Sequence, residues 1–294
     1  MFSLDQLRGF VAVADELHFG RAAERLNMTQ PPLSRQIQKL ERAIGVQLFE
    51  RDNRRVTLTP AGQAFLSEAQ KLLALAMHAP DRARRISEGS AGVVRIGFTS
   101  ASTFGLLGAL LNEIAHRLPD VDVELQEMVS REQTNALAAD ELDMGLARPP
   151  FDPDEFDGRL LYREPIVVAL PAGHSLAGLN RPLRPEDLNH QDLIMHSPTR
   201  ARYFYDLLAG VVSQTQANIV HTVTQVQTMI SLVAAARGIA LVPQSAMALG
   251  IGGVEYVEMA GFTEDPVELH AIWRKDSRNP ALKRILAFLD ESVF

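Results

Sequence analysis

Between Thr29 and Gly45 the sequence leaves the backbone little choice. Leu33, Ile37, Leu40 and Ile44 recur at steps of four, three and four residues. At about 100° per residue they fall in one narrow stripe of an α-helix. Thr29 is a good N-cap, and Pro31 and Pro32 suit a first turn, where a missing N–H costs little. Gly45 supplies the stop. The stripe must pack inward, so the opposite face looks out. That face carries Pro31, Arg35, Gln38 and Arg42, with Gln30 and Ser34 at its edge. Amide, hydroxyl and guanidinium groups at a helix start can bond base edges in a major groove, and the helix N-terminus can meet a phosphate. A solvated helix on a small bundle is the alternative.

The flanking segments bear on that choice. Ser3 and Gln6 have the spacing of a capping box, and Leu4, Leu7, Val11 and Ala14 follow at helical intervals. A second short helix is predicted from Phe19 to Leu26, joined to the third by Asn27-Met28. Two short helices with a tight turn, the second polar on its outer side, describe a helix-turn-helix. Next, Leu48-Phe49-Glu50-Arg51 and Val56-Thr57-Leu58-Thr59 flank the turn signal Asp52-Asn53. This predicts a hairpin with Arg51, Arg54 and Arg55 at its tip, a wing for the minor groove or the backbone. Thr59-Pro60 starts a long helix in which Phe65, Ala69, Leu72, Ala76, Ala79, Ala83 and Ile86 keep a heptad period. That seam predicts a homodimer presenting two reading heads to a two-fold DNA site. Packing on its own domain is the alternative. Pro80 interrupts the seam and predicts a kink or break near residues 76–80.

Charge divides the chain in the same place. The whole 294 residues carry a net charge of -7, which taken alone argues against a nucleic-acid partner. Residues 1–90 hold 13 Lys/Arg and 10 Asp/Glu, a net of +3, while residues 91–294 hold 16 and 26, a net of −10. A small basic module therefore precedes a larger acidic one, with Gly89-Ser90-Ala91-Gly92 at the junction. The chain has no cysteine, which excludes disulfides, thiolate zinc sites and cysteine nucleophiles. Charges interrupt the first twenty residues, so no apolar signal core is visible, and no apolar run is long enough for a bilayer. A cytoplasmic protein without a membrane partner is expected.

The run Phe19-Gly20-Arg21-Ala22-Ala23-Glu24-Arg25-Leu26, then Thr29 to Ile37, Leu40-Glu41, Gly45, Leu48 to Arg51 and Leu58-Thr59-Pro60-Ala61-Gly62 resembles the LysR-type transcriptional regulators. The match is dense over residues 1–66, and the length and layout agree over the whole chain. The resemblance implies an α+β multidomain protein: a winged helix-turn-helix over 1–59, a dimerising linker helix over 60–88, and an α/β effector domain over 89–294 like type 2 periplasmic binding proteins. It implies two subdomains, 92–163 with 268–294 and 164–267, flanking one cleft. It maps base reading onto Gln30, Pro31, Pro32, Ser34 and Arg35, beside the outward Gln38, and puts Arg51, Arg54 and Arg55 at the DNA.

The C-terminal module reads independently as α/β. Val93–Phe98 is an apolar strand, Leu107 to Leu118 a helix ended by Pro119, and Val121 to Leu125 an alternating strand. Further strands are predicted at 143–146, 166–170, 192–195, 218–223, 239–242 and 267–273, and helices at 200–214, 226–237 and 280–292. The alternation implies mostly parallel sheets, whose ligands sit beyond strand C-termini at helix starts. By that rule Thr99, Ser100, Ser102 and Thr103 follow the first strand, Ser130 the second, and Arg148 the third. Ser197, Pro198 and Thr199 hold the equivalent place in the other half, with Tyr203 one turn on. The hydroxyls suit an anion and the arginine a carboxylate. Each hydroxyl taken singly is also a helix cap. Arg95 to Phe98, Phe104 to Leu107, Gln133-Thr134 with Ala136-Leu137, and Leu232 to Ala235 with Gly238 to Pro243 are similar to LysR-type regulators that respond to aromatic-pathway acids.

Enzyme signals are thin. The eight histidines are scattered, and there is no phosphate loop, nucleophile elbow or full dinucleotide fingerprint. His196 beside Ser197 lacks an assignable orienting carboxylate. The expected protein is thus not an enzyme and carries no cofactor. It is a regulator that binds promoter DNA, contacts RNA polymerase, and is switched by a small organic acid within a dimer-of-dimers tetramer. A cytoplasmic small-molecule-binding protein or enzyme of the same fold is the other reading. It leaves the N-terminal module without a use.

Overall fold

A computed structural model describes residues 1–51, 55–262 and 265–289. The chain divides into two compact units, Met1–Arg84 and Arg85–Phe294. Among the described residues no helix is long and apolar enough to cross a membrane.

The first unit opens with α1 (Leu4–Glu16), α2 (Phe19–Arg25) and α3 (Gln30–Ile44). The Ser3–Gln6 capping box is present in both directions, Ser3 N to Gln6 Oε1 at 2.7 Å and Gln6 N to Ser3 Oγ at 3.3 Å. His18 caps α2, its Nδ1 accepting from the N–H groups of Gly20 and Arg21. Gly45 ends α3 at φ 86°, a left-handed conformation that glycine adopts without a Cβ penalty. Thr29 precedes α3 in extended geometry but makes no side-chain cap bond, contrary to the cap expected of it. The next two positions after Gln30 are prolines, which have no N–H to donate to the Thr29 hydroxyl. The strands β1 (Phe49–Arg51) and β2 (Val56–Leu58) pair antiparallel, Phe49 opposite Leu58. Glu41 ties this hairpin to α3 by accepting from Leu48 N and Phe49 N at 3.0 and 3.2 Å.

Thr59 then starts α4 (Pro60–Ser87), its hydroxyl accepting from Gly62 N and donating to Gln47 O. The helix runs unbroken past Pro80, so the break expected there does not occur. Pro80 lacks the N–H that would bond Ala76 O, so the helix continues across one missing hydrogen bond. The seam is split in its burial. Ala69 is sealed and Phe65 packs on the first unit's core, while Leu72, Ala79, Ala83 and Ile86 are exposed, as is Leu75 beside the seam. The core itself joins Leu7, Phe10, Val13, Phe19, Leu33, Ile37, Leu40 and Phe49.

The second unit holds two five-stranded sheets. The first combines β3 (Ala91–Phe98), β4 (Asp120–Glu127), β5 (Met144–Ala147), β6 (Phe156–Glu164) and the late strand β12 (Val267–Arg274), in the order β4-β3-β5-β12-β6. The second combines β7 (Ile166–Pro171), β8 (Asp192–His196), β9 (Asn218–Val223), β10 (Ile239–Pro243) and β11 (Val254–Glu258), in the order β11-β7-β10-β8-β9. Helices α5 (Leu106–Arg117) and α9 (Pro280–Leu289) belong to the first sheet's core; α6 (Ser130–Ala138) covers its other face. Helices α7 (Arg202–Val212) and α8 (Val226–Ala234) belong to the second sheet. The residues of the expected last helix beyond Leu289 lie outside the described residues.

The sheets are not mostly parallel, as alternation alone implies. In each, two junctions are parallel (β3 with β4 and β5; β8 with β9 and β10) and two antiparallel (β12 with β5 and β6; β7 with β10 and β11). The antiparallel junctions arise where the chain crosses to the other sheet at 164–166 and returns into β12, without a crossover helix. Strands β6 and β11 were missed by periodicity. Both are edge strands, and charges such as Asp157, Arg159 and Glu255 interrupt their apolar pattern, as edges commonly require.

Candidate functional site

In the first unit three residues of the inward stripe of α3, Leu33, Ile37 and Leu40, are 0% exposed, and Ile44 at its end is half-buried. Outward, Gln30, Pro31, Arg35, Gln38 and Arg42 are exposed, and Pro32 and Ser34 half-buried. Arg42 leans back on its own helix, Nε donating to Gln38 O at 3.2 Å. Arg35 and Lys39 make no ion pair among the described residues, so their charges face solvent. The arginines of α2 differ. Arg21 pairs with Glu16 at 3.3 Å and Arg25 with Asp15 at 3.0 Å, which fixes α2 against the end of α1. Among the described residues of α2 and α3, the exposed cations outside any ion pair thus lie on α3. On the adjacent hairpin, Arg51 ends β1 and Arg55 is exposed at the start of the return. Arg54 lies outside the described residues.

In the second unit the candidate ligand groups fall into two contacting sets and a third local one. The 3₁₀ turn Ser100–Phe104 follows β3. Ser102 Oγ donates to Thr99 O at 2.6 Å and Thr103 Oγ1 to Ser100 O at 2.5 Å, so both hydroxyl protons are spent inside the turn. Thr99 differs: its Oγ1 is buried and has no hydrogen-bond partner. Ser100 reaches across to the other sheet and donates to Gln225 Oε1, just before α8.

The other contacting set centres on Arg148, which is 3% exposed. Its backbone N donates to Ser130 Oγ at 2.9 Å and its Nη1 to Glu268 O at 2.8 Å. The guanidinium carbon lies 4.7 Å from the Phe204 ring centroid and 5.6 Å from that of Tyr203. Glu164, 3.6 Å away, is the nearest anion, and its own oxygens accept from Ser245 N and Oγ. Arg148 Nε and Nη2 are buried and have no hydrogen-bond partner. Tyr203 bridges the two chain segments that meet here. Its hydroxyl donates to Pro266 O at 3.1 Å and accepts from Glu268 N at 2.7 Å. Burial pushes the Tyr203 phenol above its ordinary range. A bond from His270, joined by Arg163, holds the Glu268 carboxyl below its own.

Ser197, Pro198 and Thr199 form a turn before α7. Ser197 Oγ lies 3.2 Å from Thr199 Oγ1 and accepts from Arg200 N. Next to them His196 is 0% exposed, stacked on Phe204 with centroids 4.6 Å apart. Its Nε2 meets Leu241 O at 3.2 Å, leaving Nδ1 without a partner. Burial drives its pKa down to about 4, with the Arg148 charge adding in the same direction. Neither ring nitrogen addresses Ser197, so the pair is not a nucleophile and base. No group of acidic and histidine side chains suited to a metal ion occurs among the described residues.

Gln225, Glu164, Phe204 and Glu268 were not singled out from the sequence. Gln225 was within reach of the rule applied elsewhere, since it follows β9 and precedes α8. Glu164 and Glu268 lie at strand positions that carry no periodic signal, and only the crossing of the chain between sheets brings them to Arg148.

Comparison with known proteins bears on both units. The family model "LysR substrate binding domain" matches residues 87–293, and "Bacterial regulatory helix-turn-helix protein, lysR family" matches residues 4–63. The HTH-type transcriptional regulator IlvR of Caulobacter vibrioides is 38% identical over 293 residues, covering 97% of both chains. The Hca operon transcriptional activator HcaR of Escherichia coli is 34% identical over 292 residues, covering 99% of this chain and 98% of its own. Among solved structures, full-length CbnR in complex with its target DNA is similar with a TM-score of 0.76 at 28% identity, covering 100% of each chain. Full-length BenM is similar with a TM-score of 0.60 at 31% identity, covering 99% of this chain and 96% of that one.

Proposed function

The chain belongs to the LysR family of DNA-binding, effector-responsive transcriptional regulators, and we propose that its effector is a small organic carboxylate held between the two sheets of the second unit. One observation carries the reading: Thr99 Oγ1 and Arg148 Nε and Nη2 are buried at strand ends without hydrogen-bond partners. Buried polar atoms are ordinarily satisfied. A carboxylate offers the acceptors that a hydroxyl and a guanidinium lack. In this reading Ser100, Ser130, Ser197 and Thr199, which follow β3, β4 and β8, and Tyr203 in α7 frame the site, and Ser102, Thr103 and Pro198 belong to its turns.

Promoter DNA meets the outward face of α3, with Gln30, Pro31, Pro32, Ser34, Arg35 and Gln38 toward the bases and Arg51, Arg54 and Arg55 toward the backbone. Two copies pair through the exposed seam of α4. Leu72, Leu75, Ala76 and Ala79 line an apolar groove of about 310 Å³ with Phe2, Leu4 and Leu7, and this surface favours a second helix there. Pairs assemble into tetramers that present RNA polymerase with differently bent DNA as the effector binds. The protein works in the cytoplasm, where the promoter is, and catalyses no reaction.

Two measurements test this. Arg35→Ala is expected to weaken specific DNA binding by about 1–3 kcal/mol and relax selectivity; unchanged footprints on matched and mismatched sites remove Arg35 from the reading face. Benzoate and a set of small dicarboxylates are expected to raise the melting temperature of the full chain by mass action. If no acid does so at millimolar concentration, the carboxylate reading fails.

A further inference from the structure

The turn Ser100–Phe104 leaves the first sheet and is fastened to the second at two separate points. Ser100 Oγ donates to Gln225 Oε1. Four residues on, Phe104 packs against a cluster of the second subdomain that joins Val167 and Ile194 of the sheet, Val226 and Met229 of α8, and Ala246. Between these points the turn is stapled to itself, with Ser102 N and Oγ on Thr99 O and Thr103 Oγ1 on Ser100 O. It therefore moves as one piece. Any motion that separates the sheets on this side must break the Ser100–Gln225 bond and withdraw Phe104 together.

We infer that Ser100–Phe104 is a latch between the two subdomains, with Gln225 as its catch, and that an acceptor-bearing ligand entering beside Thr99 releases it by taking the Ser100 proton from Gln225. The second half rests on the carboxylate reading above. Gln225 Oε1 and a carboxylate oxygen are both acceptors, and the Ser100 hydroxyl has one proton to give. An incoming acid and the catch therefore compete for the same donor. Phe104 sets the cost of opening, because its ring passes from an apolar seat into water.

The cysteine-free chain permits a direct test. Glu141 in the first subdomain and Glu186 in the second are exposed and lie outside the latch. Spin labels on Glu141→Cys and Glu186→Cys, in full-length protein diluted with unlabelled chains, report the distance between subdomains without any acid present. Gln225→Ala is expected to raise the open-to-closed ratio about fivefold, as loss of one neutral hydrogen bond implies. Phe104→Ala is expected to raise it further. Gln225→Glu, still an acceptor, keeps the wild-type distribution, and Ser100→Ala adds nothing to Gln225→Ala. Unchanged distances in Gln225→Ala overturn the latch, and that surface variant decides the matter even if Phe104→Ala misfolds. Because no acid is used, the outcome is independent of whether a carboxylate is the effector.

Discussion

His196 makes the stability of the effector domain depend on pH in a way that can be worked out. The ring is 0% exposed, lies on Phe204, and donates from Nε2 to Leu241 O. Protonation would place a second N–H at Nδ1, which has no acceptor, in a site that already feels the Arg148 charge. The folded pKa is accordingly about 4 against an ordinary 6.5. Above pH 6.5 the ring is neutral folded or unfolded and contributes no pH dependence. Between 6.5 and 4 the unfolded chain binds a proton that the folded chain refuses, so stability falls as pH falls. A pKa of about 4 against 6.5 corresponds to about 3 kcal/mol, lost by about pH 4. Urea unfolding at closely spaced pH values, followed by the single tryptophan, Trp273, reads this domain alone. His196→Gln removes the titration while keeping a donor. Carboxylates contribute to both curves, so the quantity of interest is the difference between wild type and variant. It is expected to narrow by about 3 kcal/mol from pH 7 to pH 4. Parallel curves over that range would refute the reasoning.

Two further outcomes are expected. Leu75→Glu, at a side chain 69% exposed in the single chain, should leave the fold within about 0.5 kcal/mol but weaken dimerisation at least tenfold by sedimentation; an unchanged dimer would move the interface off this part of α4. Thr99→Val removes a buried hydroxyl without a partner, so the domain should unfold no more easily, and by about 1 kcal/mol less easily, while the melting shift caused by benzoate or a dicarboxylate shrinks. A marked loss of stability would mean that the hydroxyl is already satisfied in the folded protein.

The sequence was most legible where local chemistry and tertiary packing agree. The apolar stripe of α3 and its glycine stop appear as written, because a stripe with one buried face has no other use. Gly62, part of the motif after Thr59, has a packing reason: a Cβ there would meet Leu48 O at 2.1 Å. Legibility failed where long-range order decides. The periodicity of α4 left pairing with another helix and packing on its own domain as alternatives, and did not show that the two divide along the helix, with Phe65 and Ala69 in the module's core and Leu72 exposed. Pro80 breaks an isolated helix rule but not this helix. The return of the chain into β12 puts an antiparallel strand in the middle of the first sheet, and nothing local to residues 267–274 encodes that neighbour.

The same distinction sharpens the candidate effector site. A rule based on strand ends says where a side chain lies, not whether its hydrogen bonds remain available. Of the hydroxyls it selected, Ser102 and Thr103 have given their protons to carbonyls of their own turn, and Ser197 accepts from a neighbouring amide. Arg148 stands at a strand end where it could meet a ligand carboxylate, yet its Nη1 donates to the chain's own Glu268 O, and Glu164 stands 3.6 Å from Nη2. Removing that cation would leave Glu164, only 7% exposed, uncompensated, at a cost of about 3–5 kcal/mol. Loss of response in Arg148→Ala would therefore report a damaged fold as readily as a missing ligand contact. Thr99 has no such second duty, since its hydroxyl holds nothing in the folded chain. It is the position at which ligand binding and folding separate, and the one from which the carboxylate reading is best judged.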